Sequence, residues 1–240
     1  MTLLLLGGTG EARQIAAHLQ GQDAVISLVG ATRNPQAQPL PARVGGFGGA
    51  EGFARFLADA GITAVLDATH PFAARITART AMICGQTGVP FMQFLRPPWS
   101  PEPGDNWTEI TEEAEAADHI PPGSTVFLGT GRQTLGQFAN LEGREVICRQ
   151  IDPPQQPFPF SGGRFLVGRP PFSVADEVAL FRDLGVDVLV VKNAGGAASR
   201  TKLTAARQLG IPVLMMARPT PGQWPVVDTV EDALAWVRDL

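Results

Sequence analysis

The chain contains no tyrosine. That absence excludes the Tyr–Lys pair of short-chain dehydrogenases, although the chain begins with a similar glycine-rich loop. Cysteine is almost as scarce. Cys84 and Cys148 stand alone, with neither disulfide pairing nor metal-ligand spacing, so reduced thiols of a cytoplasmic protein are expected. The three histidines, His18, His70 and His119, are scattered, and no metal site is expected. No apolar stretch approaches the roughly 20 residues that cross a bilayer. The first residues lack the basic flank of a signal peptide, so no membrane partner is expected. A formal net charge of −4 speaks against the basic surface that phosphate neutralisation needs, so no nucleic-acid partner is expected. G-x-S-x-G, Walker A and H-E-x-x-H motifs are all missing.

What the chain has is glycine at strand ends. Thr2–Arg13, TLLLLGGTGEAR, reads as a strand buried on both faces, a glycine turn and a helix that resumes at Glu11. Unpaired N–H groups and the helix dipole converge at such a turn and make an anion site. Gly8 and Gly10 supply the first G-x-G of the dinucleotide fingerprint, but Arg13 stands where a third glycine would fall. A tight turn that serves packing alone is the alternative. The second strand, AVISLVG, runs into Thr32 and Arg33, where an NAD site would place an acid for the ribose hydroxyl. A guanidinium there grips a 2′-phosphate and favours NADPH; a solvated loop residue is the other reading. Gly45–Gly49, with Phe47 at its centre, precedes a further helix and admits close backbone approach to a cofactor.

The fourth strand ends in Asp67-Ala68-Thr69-His70-Pro71-Phe72-Ala73. It delivers a carboxylate, a hydroxyl and an imidazole that could relay a proton, unless these groups only cap the strand end. Pro71 is placed to start the next helix. In the second half, LGTGR at 128–132 and KNAGG at 192–196 repeat the strand–glycine–helix arrangement. Lys192, Arg132, Arg149, Arg169, Lys202 and Arg218 put cations at or near strand ends, and a polycarboxylate ligand would suit them.

Strands and helices alternate almost throughout, so the fold class is α/β with parallel sheets. Strands are expected at 3–6, 24–29, 43–44, 64–67, 89–94, 125–128, 145–150, 186–191 and 213–216. Helices are expected at about 11–20, 50–60, 72–86, 111–118, 132–139, 174–184, 199–209 and 230–240. The proline-rich stretch 96–107 reads as a linker, and DPPQQPFPF at 152–160 as an irregular excursion. The expected architecture is two Rossmann-like domains, 1–98 and 99–240, with a cleft between them; one continuous sheet is the alternative.

Several segments together resemble the precorrin-6A reductase family of cobalamin biosynthesis. They are GGTGEAR at 7–13, RVGGFGG at 43–49, DATHPFA at 67–73, RPPW at 96–99, GDNW at 104–107, LGTGRQ at 128–133, and KNAGG followed by TKLTAARQLGIPVLMMARP to Pro219. The resemblance covers nearly the whole chain. It implies a monomeric or weakly associating reductase that uses NADPH to reduce one double bond of precorrin-6A, giving precorrin-6B. Anaerobic-pathway relatives take the cobalt-containing counterpart. It also admits hand-over between enzymes of the corrin pathway. The family's KNSGG reads KNAGG here, with Ala194 in place of serine. A reductase of another polycarboxylate and a non-enzymatic dinucleotide sensor are the competing functions.

The resulting candidates fall into three groups. His70, Asp67 and Lys192 are the catalytic set. Gly8, Thr9, Gly10, Glu11, Thr32, Arg33, Gly46, Phe47 and Thr69 would bind NADPH. Thr130, Arg132, Arg149, Lys192, Asn193, Gly195, Gly196 and Lys202 would bind the substrate.

Overall fold

A computed structural model describes residues 1–30 and 37–240. The chain forms two compact units: residues 1–97 with 219–240, and residues 98–218. Each is built on its own six-stranded sheet, and every strand pair is parallel.

The first unit runs β1 (Thr2–Leu6), α1 (Gly10–His18), β2 (Ala24–Leu28), β3 (Ala42–Val44), α2 (Gly49–Asp59), β4 (Ile62–Asp67), α3 (Ala74–Thr87) and β5 (Phe91–Phe94). The second contains β6 (Trp107–Ile110), α4 (Ala116–His119), β7 (Thr125–Leu128), β8 (Glu145–Gln150), β9 (Gly163–Val167), α5 (Val174–Leu184), β10 (Val188–Lys192), α6 (Thr201–Leu209) and β11 (Val213–Met216). The chain then returns to the first unit with β12 (Val226–Val227) and α7 (Val230–Arg238). The strand orders are β12-β5-β4-β1-β2-β3 and β6-β11-β10-β7-β8-β9. The order reverses beside β1 in one sheet and beside β7 in the other, which is where an open α/β sheet binds its ligand.

Successive side chains of a strand point to opposite faces, and the leucines of β1 show what this achieves. Leu3 and Leu5 pack with Ile15, Ala16 and Leu19 of α1, whereas Leu4 and Leu6 pack with Phe53 and Leu57 of α2 and Ile83 and Cys84 of α3. A fully buried leucine contributes about 1.5–3 kcal/mol, so four in a row make β1 the spine of the unit. Ala233 and Val237 of α7 belong to the Leu3–Ile15 cluster. That packing draws the last 22 residues, 219–240, back to the first unit, where the sequence assigns them to the second.

The sequence misses β6, β9 and β12, and all three are edge strands. An edge strand has a neighbour on one side only and is less buried, so it lacks the continuous apolar run of a central parallel strand. The residues of β9, for example, are all half-buried or exposed. Two helix assignments also change. Residues Arg132–Leu141 form a 3₁₀ segment rather than an α-helix, burying Leu135, Phe138 and Leu141. The helix expected from residue 72 starts at Ala74, because the Ala73 N–H donates to the His70 carbonyl at 2.7 Å and closes a turn first.

The stretch 96–107 is not a free linker. Arg96 is held in the first unit by Glu11 at 2.7 Å, and Trp99 is a 6 % exposed member of the second unit's core.

Candidate active site

In the first unit, the glycine turn lies between β1 and α1 beside the reversal of strand order. Its glycines have separate reasons. A Cβ on Gly7 would stand 2.7 Å from the Ile26 side chain, so Gly7 serves the packing of β1 against β2. Gly8 has φ +119, a backbone that other residues rarely adopt. Gly10 has an ordinary φ and open space where a Cβ would stand. The chain's own packing therefore does not require glycine at position 10, whereas a pyrophosphate pressed against the backbone would.

Thr9 caps α1. Its hydroxyl accepts from the Ala12 N–H at 3.1 Å and donates to the Ala68 carbonyl at 2.8 Å. The glycine turn is thereby tied to the end of β4. Glu11 sits in the first turn of α1, where its charge would repel a phosphate. Arg96 pairs with that carboxylate at 2.7 Å and neutralises it. Glu11 is thus committed to Arg96. This supporting partner lies 85 residues away in sequence, beyond any local signal.

The RVGGFGG loop follows β3 and is organised by Arg43, which the sequence reading does not single out. Its guanidinium donates to the Gly45 and Gly46 carbonyls at 2.6 and 2.7 Å and lies 3.9 Å from the Phe47 ring centroid. Phe47 also packs edge-on against Phe53, 4.8 Å away. Its ring therefore has a structural use, and Gly46 is the position left open: no atom lies within 4 Å of a Cβ there. Gly52 accommodates the same loop, since a Cβ would stand 1.8 Å from the Phe47 carbonyl oxygen. Thr32 and Arg33 lie outside the described residues.

At the end of β4, Asp67 is fully buried. Its Oδ1 accepts from the Thr69 N–H at 3.0 Å. Burial pushes the Asp67 carboxyl up, opposed by hydrogen bonds from Thr77 and Thr69. Asp67 is thereby held against the turn that carries Thr69 and His70. His70 is exposed, and its Nδ1 accepts from the Phe72 N–H at 3.2 Å. That bond places the proton of the neutral ring on Nε2.

In the second unit, the KNAGG loop is anchored rather than offered. The Asn193 Oδ1 accepts from the Trp99 N–H at 2.8 Å, and its Nδ2 donates to the Trp99 carbonyl at 3.0 Å. The Trp99 indole donates to the Gly196 carbonyl at 2.8 Å, and Arg218 donates to the Asn193 carbonyl at 2.7 Å. The side chain of Asn193 anchors the loop, and RPPW supplies the residue it grips. Gly195 and Gly196 both have positive φ, at +68 and +80. Lys192, at the end of β10, donates to the Thr134 hydroxyl at 3.4 Å. Burial lowers its pKa, opposed by the charge of Glu113.

Arg149, at the end of β8, is paired within the second unit. Its guanidinium forms two 2.8 Å hydrogen bonds to Glu177, which is 1 % exposed, and stacks on the rings of Phe172 and Phe127. Arg132 is exposed at the start of the 3₁₀ segment, just past Gly131 with φ +75. The Thr130 hydroxyl is buried without a partner among the described residues. Lys202, in the first turn of α6, donates to the Ser199 carbonyl at 2.9 Å. Burial and the neighbouring Arg149 charge bring its ammonium down to about 8.

Among the described residues there is no cluster of metal-ligating side chains. None of their helices is long and apolar enough to cross a membrane.

A family model described as precorrin-6x reductase CbiJ/CobK matches residues 2–238. A precorrin-6A reductase from Rhodococcus erythropolis is 46 % identical, covering 99 % of this chain and 98 % of the relative. A cobalt-precorrin-6A reductase from Synechocystis is 29 % identical over 92 % of this chain and 91 % of the relative. A solved structure of a CobK precorrin-6A reductase superposes with a TM-score of 0.95 at 42 % identity, covering 100 % of this chain and 97 % of the other. Two parallel six-stranded sheets, a glycine turn at a helix N-terminus and full-length similarity to these reductases agree, and the chain belongs to the precorrin-6x reductase family.

Proposed function

We propose that the chain reduces one double bond of the precorrin-6A macrocycle to give precorrin-6B, with NADPH as the reductant. The observation that carries the cofactor assignment is the open glycine turn: Gly10 needs no glycine for its own packing, and it stands at the N-terminus of a helix whose acidic first-turn residue is neutralised by Arg96. Bound NADPH supplies a hydride to a carbon of the conjugated macrocycle.

The residues of the chain do the rest. The first turn of α1 holds the pyrophosphate on its free N–H groups. Arg33, with Thr32 beside it, grips the 2′-phosphate, an assignment that rests on the sequence. Exposed His70, with its Nε2 proton, is the candidate donor to the carbon next to the one reduced. Arg132, Lys192 and Lys202 present positive charge to the acetate and propionate arms of the macrocycle. The higher identity to a reductase of precorrin-6A than to one of the cobalt form supports the metal-free substrate.

The deciding experiment is NADPH oxidation, followed at 340 nm, with precorrin-6A and with cobalt-precorrin-6A in parallel. Oxidation with the metal-free substrate is expected, and the absence of oxidation with either would refute the function. Arg33→Ala should raise the KM for NADPH and leave NADH use nearly unchanged; equal loss with both would mean that Arg33 is structural.

A further inference from the structure

The second unit contains a partly open pocket of about 150 Å³ at the carboxyl ends of β7 and β8. Gln150, the last residue of β8, lines it. Although Gln150 is only 8 % exposed, neither Oε1 nor Nε2 has a hydrogen-bond partner among the described residues. Buried side-chain amides are nearly always paired, so two unpaired atoms on one amide call for a ligand or ordered water. Ser199, just before α6, and Thr201 and Lys202 in its first turn also line it.

We propose that this pocket is an anion subsite that takes one carboxylate-bearing arm of the macrocyclic substrate, a reading that rests on the proposed function. Three observations support it. The charges in the lining are Arg149, Glu177 and Lys202. Arg149 and Glu177 cancel through their two hydrogen bonds, which leaves the Lys202 ammonium as the net charge. The free N–H groups of the first turn of α6 add a positive dipole end to it. Finally, 150 Å³ falls below the roughly 300–1,000 Å³ that encloses a drug-sized molecule, so the pocket admits a side arm and not the ring. Phe172 and Ile151, also in the lining, offer apolar surface to the methylenes of such an arm. A free anion such as inorganic phosphate shares the chemistry that the Gln150 amide and Lys202 would recognise. An anion seated there would also raise the depressed pKa of Lys202.

The test uses the full chain labelled with ¹⁵N. The Gln150 side-chain amide signals are assigned by their loss in Gln150→Met, and propionate and inorganic phosphate are titrated separately. Propionate is expected to shift the Gln150 signals saturably. Gln150→Glu, which places a negative charge in the pocket, should raise the KM for precorrin-6A about 10-fold or more while the KM for NADPH stays unchanged. Gln150→Met should retain the fold and show a smaller rise in the same KM. Shifts with phosphate alone, together with an unchanged precorrin-6A KM in Gln150→Glu, would mean a free-anion site and overturn the arm assignment. No shift with either anion would overturn the subsite altogether. If the propionate shift is present but the native chain never oxidises NADPH with the tetrapyrrole, the proposed function falls and the anion site stands.

Discussion

Glu177→Gln tests whether Arg149 belongs to the architecture or to substrate binding. The pair is nearly inaccessible, at 8 % and 1 % side-chain exposure, and makes two 2.8 Å hydrogen bonds. Removing one partner of such a pair leaves a buried charge uncompensated, at a cost of about 3–5 kcal/mol. Glutamine keeps the shape and one acceptor, so the lower end, about 3 kcal/mol, is expected. At roughly 1.4 kcal/mol per factor of ten, that is about a hundredfold rise in the population of the opened second unit. Hydrogen exchange read by mass spectrometry suits the measurement, because it resolves the units separately where a single unfolding curve would merge them. Peptides of β8, β10 and α5 should exchange about a hundredfold faster, and peptides of β1 and β4 should not change. The double variant Arg149→Met with Glu177→Leu should recover most of the loss, since Met can pack against Phe127 and Phe172 without a charge. The reasoning is refuted if Glu177→Gln leaves exchange in the second unit unchanged and lowers the substrate KM. Arg149 would then be a substrate ligand released from an inhibitory partner.

Three further outcomes follow from the same geometry. Gly10→Ala meets no neighbour within 4 Å, so its melting temperature should stay within a few degrees of native while the KM for NADPH rises about 10-fold or more; a large fall in stability would show that Gly10 serves packing. Asn193→Ala removes both hydrogen bonds to the Trp99 backbone and should cost about 2–4 kcal/mol, with a red-shifted Trp99 emission as it leaves the core; unchanged stability and emission would refute its anchoring role. Lys202 titrates near 8 in the folded chain, against 10.5 for an ordinary lysine. Because the folded pKa is the lower one, its positive charge is present below about 8 and lost above, and its contribution to stability rises with pH from about 8 to 10.5. The KM for the tetrapyrrole should accordingly rise as the pH passes 8, and Lys202→Met should flatten that step; a native profile without the step would remove Lys202 from substrate binding.

The central strands were legible because a parallel strand covered on both faces must be apolar where it is buried, as Leu3–Leu6 are. The glycine turn was legible because φ +119 at Gly8 is a local demand that one residue type meets. The motif residues were legible as a set, but their division of labour was not. Asn193, Arg149 and Glu11 look like ligands in sequence, being polar groups beside glycine loops or strand ends. Each also has a side-chain partner 94, 28 or 85 positions away, which no local pattern announces.

The sequence by itself determined two Rossmann-like sheets, a nucleotide-type turn and cations at the strand ends of the second half. These follow from periodicity, backbone torsion and charge, all properties of neighbouring residues. Tertiary structure alone decided that α7 closes the first unit, that Trp99 locks the KNAGG loop and that Gln150 is left unpaired in a pocket. Burial and hydrogen-bond satisfaction depend on which distant segments meet, and the linear order of residues does not state that.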